Sequence, residues 1–205
     1  MNWILKTLKT ALALSFAVIL AGMTLVETAQ AQEDFSQLAE KKQTTLGLYM
    51  TSPDAYKYTM DHMDTTLFVD VRTPSEVNYL GATSVMDALV PWVFMDSTTW
   101  NAEKHRYARR TNETFVADIG KALEAKGLSK SDTIILICRS GDRSAAAVNL
   151  LAKNGYTNAY TVVHGYEGDK ATTGEHKGQR VVNGWKNSAM PWTYSLDGDL
   201  MYFTK

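Results

Sequence analysis

A single cysteine, Cys138, stands in a chain of 205 residues, so no intramolecular disulfide can form even in an oxidising compartment. Histidine is also scarce. The four histidines are scattered, and with one cysteine they offer none of the paired-ligand spacings of a zinc site. No metal or organic cofactor is therefore expected. The sequence has no excess of charge of either sign, with 21 Lys and Arg against 22 Asp and Glu, which argues against nucleic acid as a partner. Internal repeats and low-complexity tracts are missing as well.

The long apolar run that does exist lies at the start. Lys6 and Lys9 form a basic head, Thr10 to Val26 is uncharged, and Ala29-Gln30-Ala31 fits a small-residue cleavage site. Residues 1–31 therefore read as a signal peptide rather than a membrane span, and no cysteine follows to carry a lipid anchor. Export to the periplasm or medium is the expectation, with no stable membrane insertion after processing. Residues 32–45 read as a polar arm.

What is there is organised around Thr133 to Gly155. Thr133-Ile134-Ile135-Leu136-Ile137 is a short β-rich apolar run, the mark of a central strand covered on both faces. Cys138-Arg139-Ser140-Gly141-Asp142-Arg143 follows as a loop. Then comes an Ala- and Leu-rich helix that stops at Gly155. Cys138 thus sits before a helix N-terminus, where unpaired N–H groups and the helix dipole favour an anion. A thiolate is such an anion, and it is the nucleophilic form of cysteine; Arg139 and Arg143 add positive charge beside it. A lone cysteine is otherwise a small core hydrophobe. Gly141 is the only glycine of this loop, and no Gly-Lys-Ser/Thr ending marks it as a nucleotide-binding P-loop.

This stretch resembles the active-site loop of rhodanese-like sulfurtransferases, in which a cysteine opens a loop closed by arginine and the loop amides cradle sulfur. Four residues separate Cys138 from Arg143; related phosphatase-type loops use five, so the spacing favours sulfur over phosphorus. Asp70-Val71-Arg72 with Pro74 and Glu76, and the turn His164-Gly165-Tyr166-Glu167-Gly168, are similar to the same family. The resemblance implies an α/β fold, a central and mostly parallel sheet with helices on both faces, over residues 46–172. It implies Cys138 and Arg143 as catalytic residues, with Arg139, Ser140, Gly141, Asp142 and Ser144 binding substrate and Asp70 and Arg72 as supports. The activity implied is transfer of sulfane sulfur from thiosulfate or a similar anionic donor to a thiol or cyanide. Two rival readings stay open: a persulfide carrier or docking module that serves a protein acceptor, and an anion hydrolase or reductase using the same cysteine.

The other elements follow from local signals. Leu46 to Met50 reads as a strand, and Ser52 caps a helix from Pro53 to His62. Thr66 to Val71 reads as a second strand, and Thr73-Pro74-Ser75-Glu76 opens a short helix. Ala88 to Met95 reads as one further strand, in which Pro91 implies an edge position or an irregular start. Asp96 to Thr111 has no period and carries Lys104, His105, Arg106, Arg109 and Arg110; it reads as solvated surface, or as a source of positive potential for an anionic donor. Thr111 or Asn112 caps a helix to Lys126, and Ala159 to Val163 is the strand that follows the active-loop helix. His164 is read as a structural residue before a proton donor. Asp142 is awkward, because a carboxylate aimed into the pocket opposes an anionic donor. Residues 173–205 are too aromatic for a disordered tail and read as an extension packed on the domain.

Overall fold

The computed structural model describes residues 33–203; the signal peptide read at residues 1–31 lies outside them. In chain order the strands are β1 (Tyr49–Met50), β2 (Thr66–Asp70), β3 (Ala82–Thr83), β4 (Ala88–Leu89), β5 (Val93–Asn101), β6 (Arg106–Thr111), β7 (Thr133–Ile137), β8 (Ala159–Val162) and β9 (Trp192–Thr193). The helices are α1 (Ser52–Asp61), α2 (Pro74–Leu80), α3 (Phe115–Ala125) and α4 (Asp142–Lys153). Five strands form a parallel sheet in the order β1-β8-β7-β2-β4. Among the described residues no helix is long and apolar enough to cross a membrane.

The apolar runs of β2 and β7 explain why the sheet is covered twice, since successive side chains of a strand point to opposite faces. Leu67, Val69, Ile134 and Leu136 face a core completed by Phe115, Ile119 and Leu123 of α3 and by Val148 and Leu151 of α4. Phe68, Ile135 and Ile137 face the other core, with Ala55 of α1, Val77 of α2 and Trp185. Full burial of each large apolar side chain stabilises by about 1.5–3 kcal/mol. Both layers are therefore needed.

The order of the strands fixes where a ligand can enter. From β2 the chain continues outward to β4, whereas from β7 it continues the other way to β8. The adjacent ends of β2 and β7 thus form a topological switch point, and α2 and α4 leave it on opposite faces. Cys138 follows β7 directly.

Local signals set most element ends, with some corrections. The cap of α1 is Thr51, whose hydroxyl accepts from the Asp54 N–H; Ser52 is already helical. Thr73 and Glu76 form a reciprocal capping box on α2. Strand β1 is shorter than the run from Leu46 had indicated, and α3 starts at Phe115 after Thr114, with Asn112 accepting from the Thr114 N–H instead of capping directly. The largest correction concerns Ala88 to Met95. Pro91 splits it: Ala88–Leu89 joins the parallel sheet, while Val93–Asn101 leaves to pair antiparallel with Arg106–Thr111. The Pro91 carbonyl accepts from Asn112 Nδ2 at 3.0 Å, which fixes the diversion.

The C-terminal segment is built into this fold through Trp185. Its ring is fully buried, packed edge-on at 5.5 Å from Phe68 and 6.1 Å from Tyr56, and Nε1 donates to the Pro191 carbonyl at 2.8 Å. Trp185→Ala is expected to lower the unfolding free energy in urea by about 3–5 kcal/mol. Phe203→Ala, at a ring 75% exposed, should change it by no more than about 0.5 kcal/mol.

Candidate active site

The loop after β7 is Cys138 to Gly141, because α4 begins at Asp142; Arg143 and Ser144 belong to the first helical turn rather than to the loop. Two glycines shape it. Gly141 holds φ at 95°, and a Cβ there would strike the Val163 carbonyl oxygen; Gly165 holds φ at 63°, and a Cβ there would strike the Cys138 carbonyl oxygen. This close approach lets the Tyr166 N–H donate to Cys138 O at 2.7 Å and the Glu167 N–H to Arg139 O at 2.9 Å. With those carbonyls tied back, the Gly141 N–H is left to donate to Cys138 Sγ at 3.1 Å. The Ser144 hydroxyl, which accepts from Thr161 Oγ1 at 2.7 Å, lies 3.4 Å from Sγ and 3.0 Å from Gly141 O, sharing one proton between them. Donors directed at sulfur favour its anionic states.

Arg143 spans the switch point. Its Nη1 and Nη2 donate to Glu76 Oε2 and Oε1 at 2.7 and 2.6 Å, and Glu76 Oε2 also accepts from the Thr73 N–H and hydroxyl, each at 3.0 Å. Burial works to raise the Glu76 pKa, but the Arg143 hydrogen bonds and charge, with Thr73, outweigh it and hold the carboxyl at about 2. Burial likewise works to lower that of Arg143, and is outweighed by Glu76 and by the charge at Cys138, so it is pushed above its usual value.

Asp70 and Arg72 are fully buried and lie behind the loop, outside the cleft. Arg72 Nε and Nη2 clasp the Asp70 carboxylate, Nη2 also donates to Gly81 O at 2.8 Å, and the guanidinium stacks 3.8 Å from the Tyr166 ring centroid. The pair therefore ties β2, the end of α2 and the turn that holds the cysteine loop. His164 is placed in a polar cluster outside the cleft: Nδ1 is 3.2 Å from Asp169 and 2.9 Å from Asn183 Nδ2, and Asp169 also takes Lys42 Nζ at 2.8 Å.

Above Cys138 is a cleft of about 260 Å³ that Ser140, Asp142 and Arg143 also line. Asp142 does point to it, but its Oδ2 accepts from Lys41 Nζ of the N-terminal arm at 2.9 Å, which offsets its charge. Arg139 lines the cleft with its Nε buried and unpartnered. Arg106 and Arg109, read from the sequence as solvated surface or as positive potential for an anionic donor, also line this cleft. The β5–β6 hairpin brings both into the lining, while Arg110 lies over Phe94 instead. Burial, followed by the charges of Arg143 and Arg106, lowers the Arg109 pKa to about 10. The signal was the run of basic residues; its alignment on one hairpin was not readable. Among the described residues no cluster of three His, Cys, Asp or Glu side chains could hold a metal ion.

Residues 52–172 match the family described as Rhodanese-like domain. An uncharacterized protein of Rickettsia rickettsii is 28% identical over 131 residues, covering 64% of this chain and 85% of its own. One of Rickettsia prowazekii is 38% identical over 66 residues, 32% of this chain and 46% of its own. In the crystal structure of Rv0390 from M. tuberculosis, a chain 24% identical superposes with a TM-score of 0.54, over 72% of this chain and 97% of that one. This likeness bears on the fold.

Glu76 yields a pH test. Its folded pKa is depressed from 4.5 to about 2, so its contribution is complete above pH 4.5 and is lost as pH falls through about 2. Removing one partner of such a pair costs on the order of 3 kcal/mol. The expected stability gap between wild type and Glu76→Gln, from denaturant titrations, is of that size at pH 7 and shrinks steadily between pH 4.5 and 2. A gap independent of pH over that window contradicts the assignment.

Proposed function

This chain belongs to the rhodanese-like domain family, and from that membership together with the surroundings of Cys138 we propose that it is a sulfurtransferase that works through a persulfide on Cys138. The observation that carries the reading is the pair of donors, the Gly141 N–H and the Ser144 hydroxyl, directed at Sγ on the floor of an arginine-lined cleft. The Cys138 thiolate attacks the outer sulfur of thiosulfate. The S–S bond of the donor breaks, sulfite leaves with its electron pair, and the enzyme holds Cys–S–S⁻. Cyanide or a thiolate then attacks the outer sulfur, departs as thiocyanate or as a persulfide, and returns Cys138 to the thiolate.

Each residue has a role in this scheme. The Gly141 N–H and Ser144 hydroxyl stabilise the sulfur anions before and after transfer, as donors fixed in place before reaction do for developing charge elsewhere. Arg139, which lines the cleft, binds the anionic donor. Arg143 holds the crevice closed through Glu76 and contributes positive charge to the cleft that it lines. Asp70 and Arg72 keep the loop in register. The N-terminal segment reads as the signal for export, which sets the reaction in the periplasm or outside the cell.

Intact-mass analysis of the reduced protein tests the scheme. Thiosulfate should add one sulfur, about 32 Da, to the wild type and none to Cys138→Ser, and cyanide should remove it. Ser144→Ala should still gain the sulfur, at a rate about tenfold lower. A wild-type thiol that alkylates readily yet never gains sulfur from thiosulfate would sink the thiosulfate reaction and leave the carrier reading in its place.

A further inference from the structure

We propose that Arg106 and Arg109 form a second anion subsite that selects, for the sulfur-transfer site proposed above, an extended organic thiol or persulfide bearing a carboxylate remote from its sulfur. Two clefts carry this inference. The one over Cys138 adjoins another of about 330 Å³, and the two share Arg106, Arg109 and Arg139. The second leads away from the cysteine to Met95 and to the Trp100 and Tyr107 rings, which stand edge-to-face at 5.6 Å. A small sulfur oxyanion satisfied by Arg139 leaves this second space empty. A larger acid fills both, with sulfur at Cys138, its apolar part against the exposed rings, and a carboxylate on the hairpin arginines.

The charges on the hairpin call for such an occupant. No carboxylate among the described residues forms an ion pair with Arg106, Arg109 or Arg139. The neighbouring acids are committed elsewhere: Glu76 to Arg143, Asp96 to the Thr98 N–H and hydroxyl at 3.0 and 2.6 Å, Glu103 to Lys104, and Asp142 to Lys41. Arg109 is half-buried, with Arg143, Arg106 and Arg139 as like charges around it and Glu76, already paired with Arg143, as an opposite one. Guanidinium groups gathered without counter-charge around a cleft are the usual means of holding a carboxylate, by charge-assisted and often bidentate hydrogen bonds.

The test uses binding, so it does not depend on sulfur chemistry. Calorimetric titration of Cys138→Ser with glutathione, whose carboxylates lie away from its sulfur, and with its diethyl ester compares acid with neutral analogue. Glutathione should bind about tenfold more tightly than the ester. Adding Arg106→Gln and Arg109→Gln should bring that ratio to about one. Arg110→Gln, which removes a charge from the same hairpin outside both clefts, should preserve it. Equal affinities, no measurable binding of either compound, a preference that survives the double substitution, or a preference lost with Arg110→Gln as well would each overturn the subsite. If the preference follows the expected pattern while Cys138 never takes up sulfur, the subsite stands and the sulfur-transfer reading falls.

Discussion

The Arg143–Glu76 ion pair is the contact on which the site depends, because it closes the crevice that the sheet topology opens. β2 and β7 lie side by side, but the helices that follow them leave on opposite faces. Such a crevice binds ligands and also needs bracing. The brace joins the first turn of α4 to the capping box of α2, where one carboxylate serves two backbone-positioning bonds and a bidentate arginine. Two desolvated charges repay their burial only when the geometry is good and further hydrogen bonds are made, and Glu76 gains such bonds from the Thr73 N–H and hydroxyl. The consequence for chemistry is direct. An arginine held in this way commits one N–H of each terminal nitrogen to Glu76, so its position in the cleft lining is fixed before any anion arrives.

A second constraint acts from behind the loop. The turn segment at residues 163–168 sits so close to the cysteine loop that side chains at Gly141 and Gly165 would displace backbone. Arg72, clasped by Asp70, stacked on Tyr166 and bonded to Gly81 O, fixes that turn against the end of α2. Tying the carbonyls of Cys138 and Arg139 to this turn orients the peptide groups of the loop, and the N–H of Gly141 faces sulfur as a result. The anion site is thus a property of backbone packing, and the charged pair beneath it acts only through that packing.

What could be read from the sequence divides along the same lines. Strands β2 and β7 were legible because an apolar run buried on both faces has few other uses, and α2 because Thr73 and Glu76 stand at capping-box spacing with Pro74 between them. The place of Cys138 followed from those signals. The hairpin was not legible: β5 and β6 lie largely exposed, so neither face imposes the alternation that marks a half-buried strand. Nor were the partners of the site residues. Glu76 is 67 positions from Arg143 and Lys41 is 101 from Asp142; nothing local in either segment encodes such a pairing. Thus Asp142, which the sequence made into an obstacle, is offset by an arm whose position only the fold reveals.

That arm completes the balance of charge around the cleft. Lys41 offsets Asp142, and Lys42, nearly buried, ties the arm to Asp169 beside His164. Asp142, Asp169 and Glu76 are all engaged, while among the described residues Arg106, Arg109 and Arg139 form no ion pair. In the free protein this arrangement is unfavourable, since burial and the fields of its neighbours work against the charge on Arg109. The fold tolerates it because the cleft is open to water, which screens the arginines from one another. In the proposed subsite, an anionic occupant would replace that water and remove the repulsion, so part of its binding energy would come from relief of repulsion among the arginines. The proposed selectivity for negative charge then needs no moving part, because it would be set by which acids the fold has already committed elsewhere.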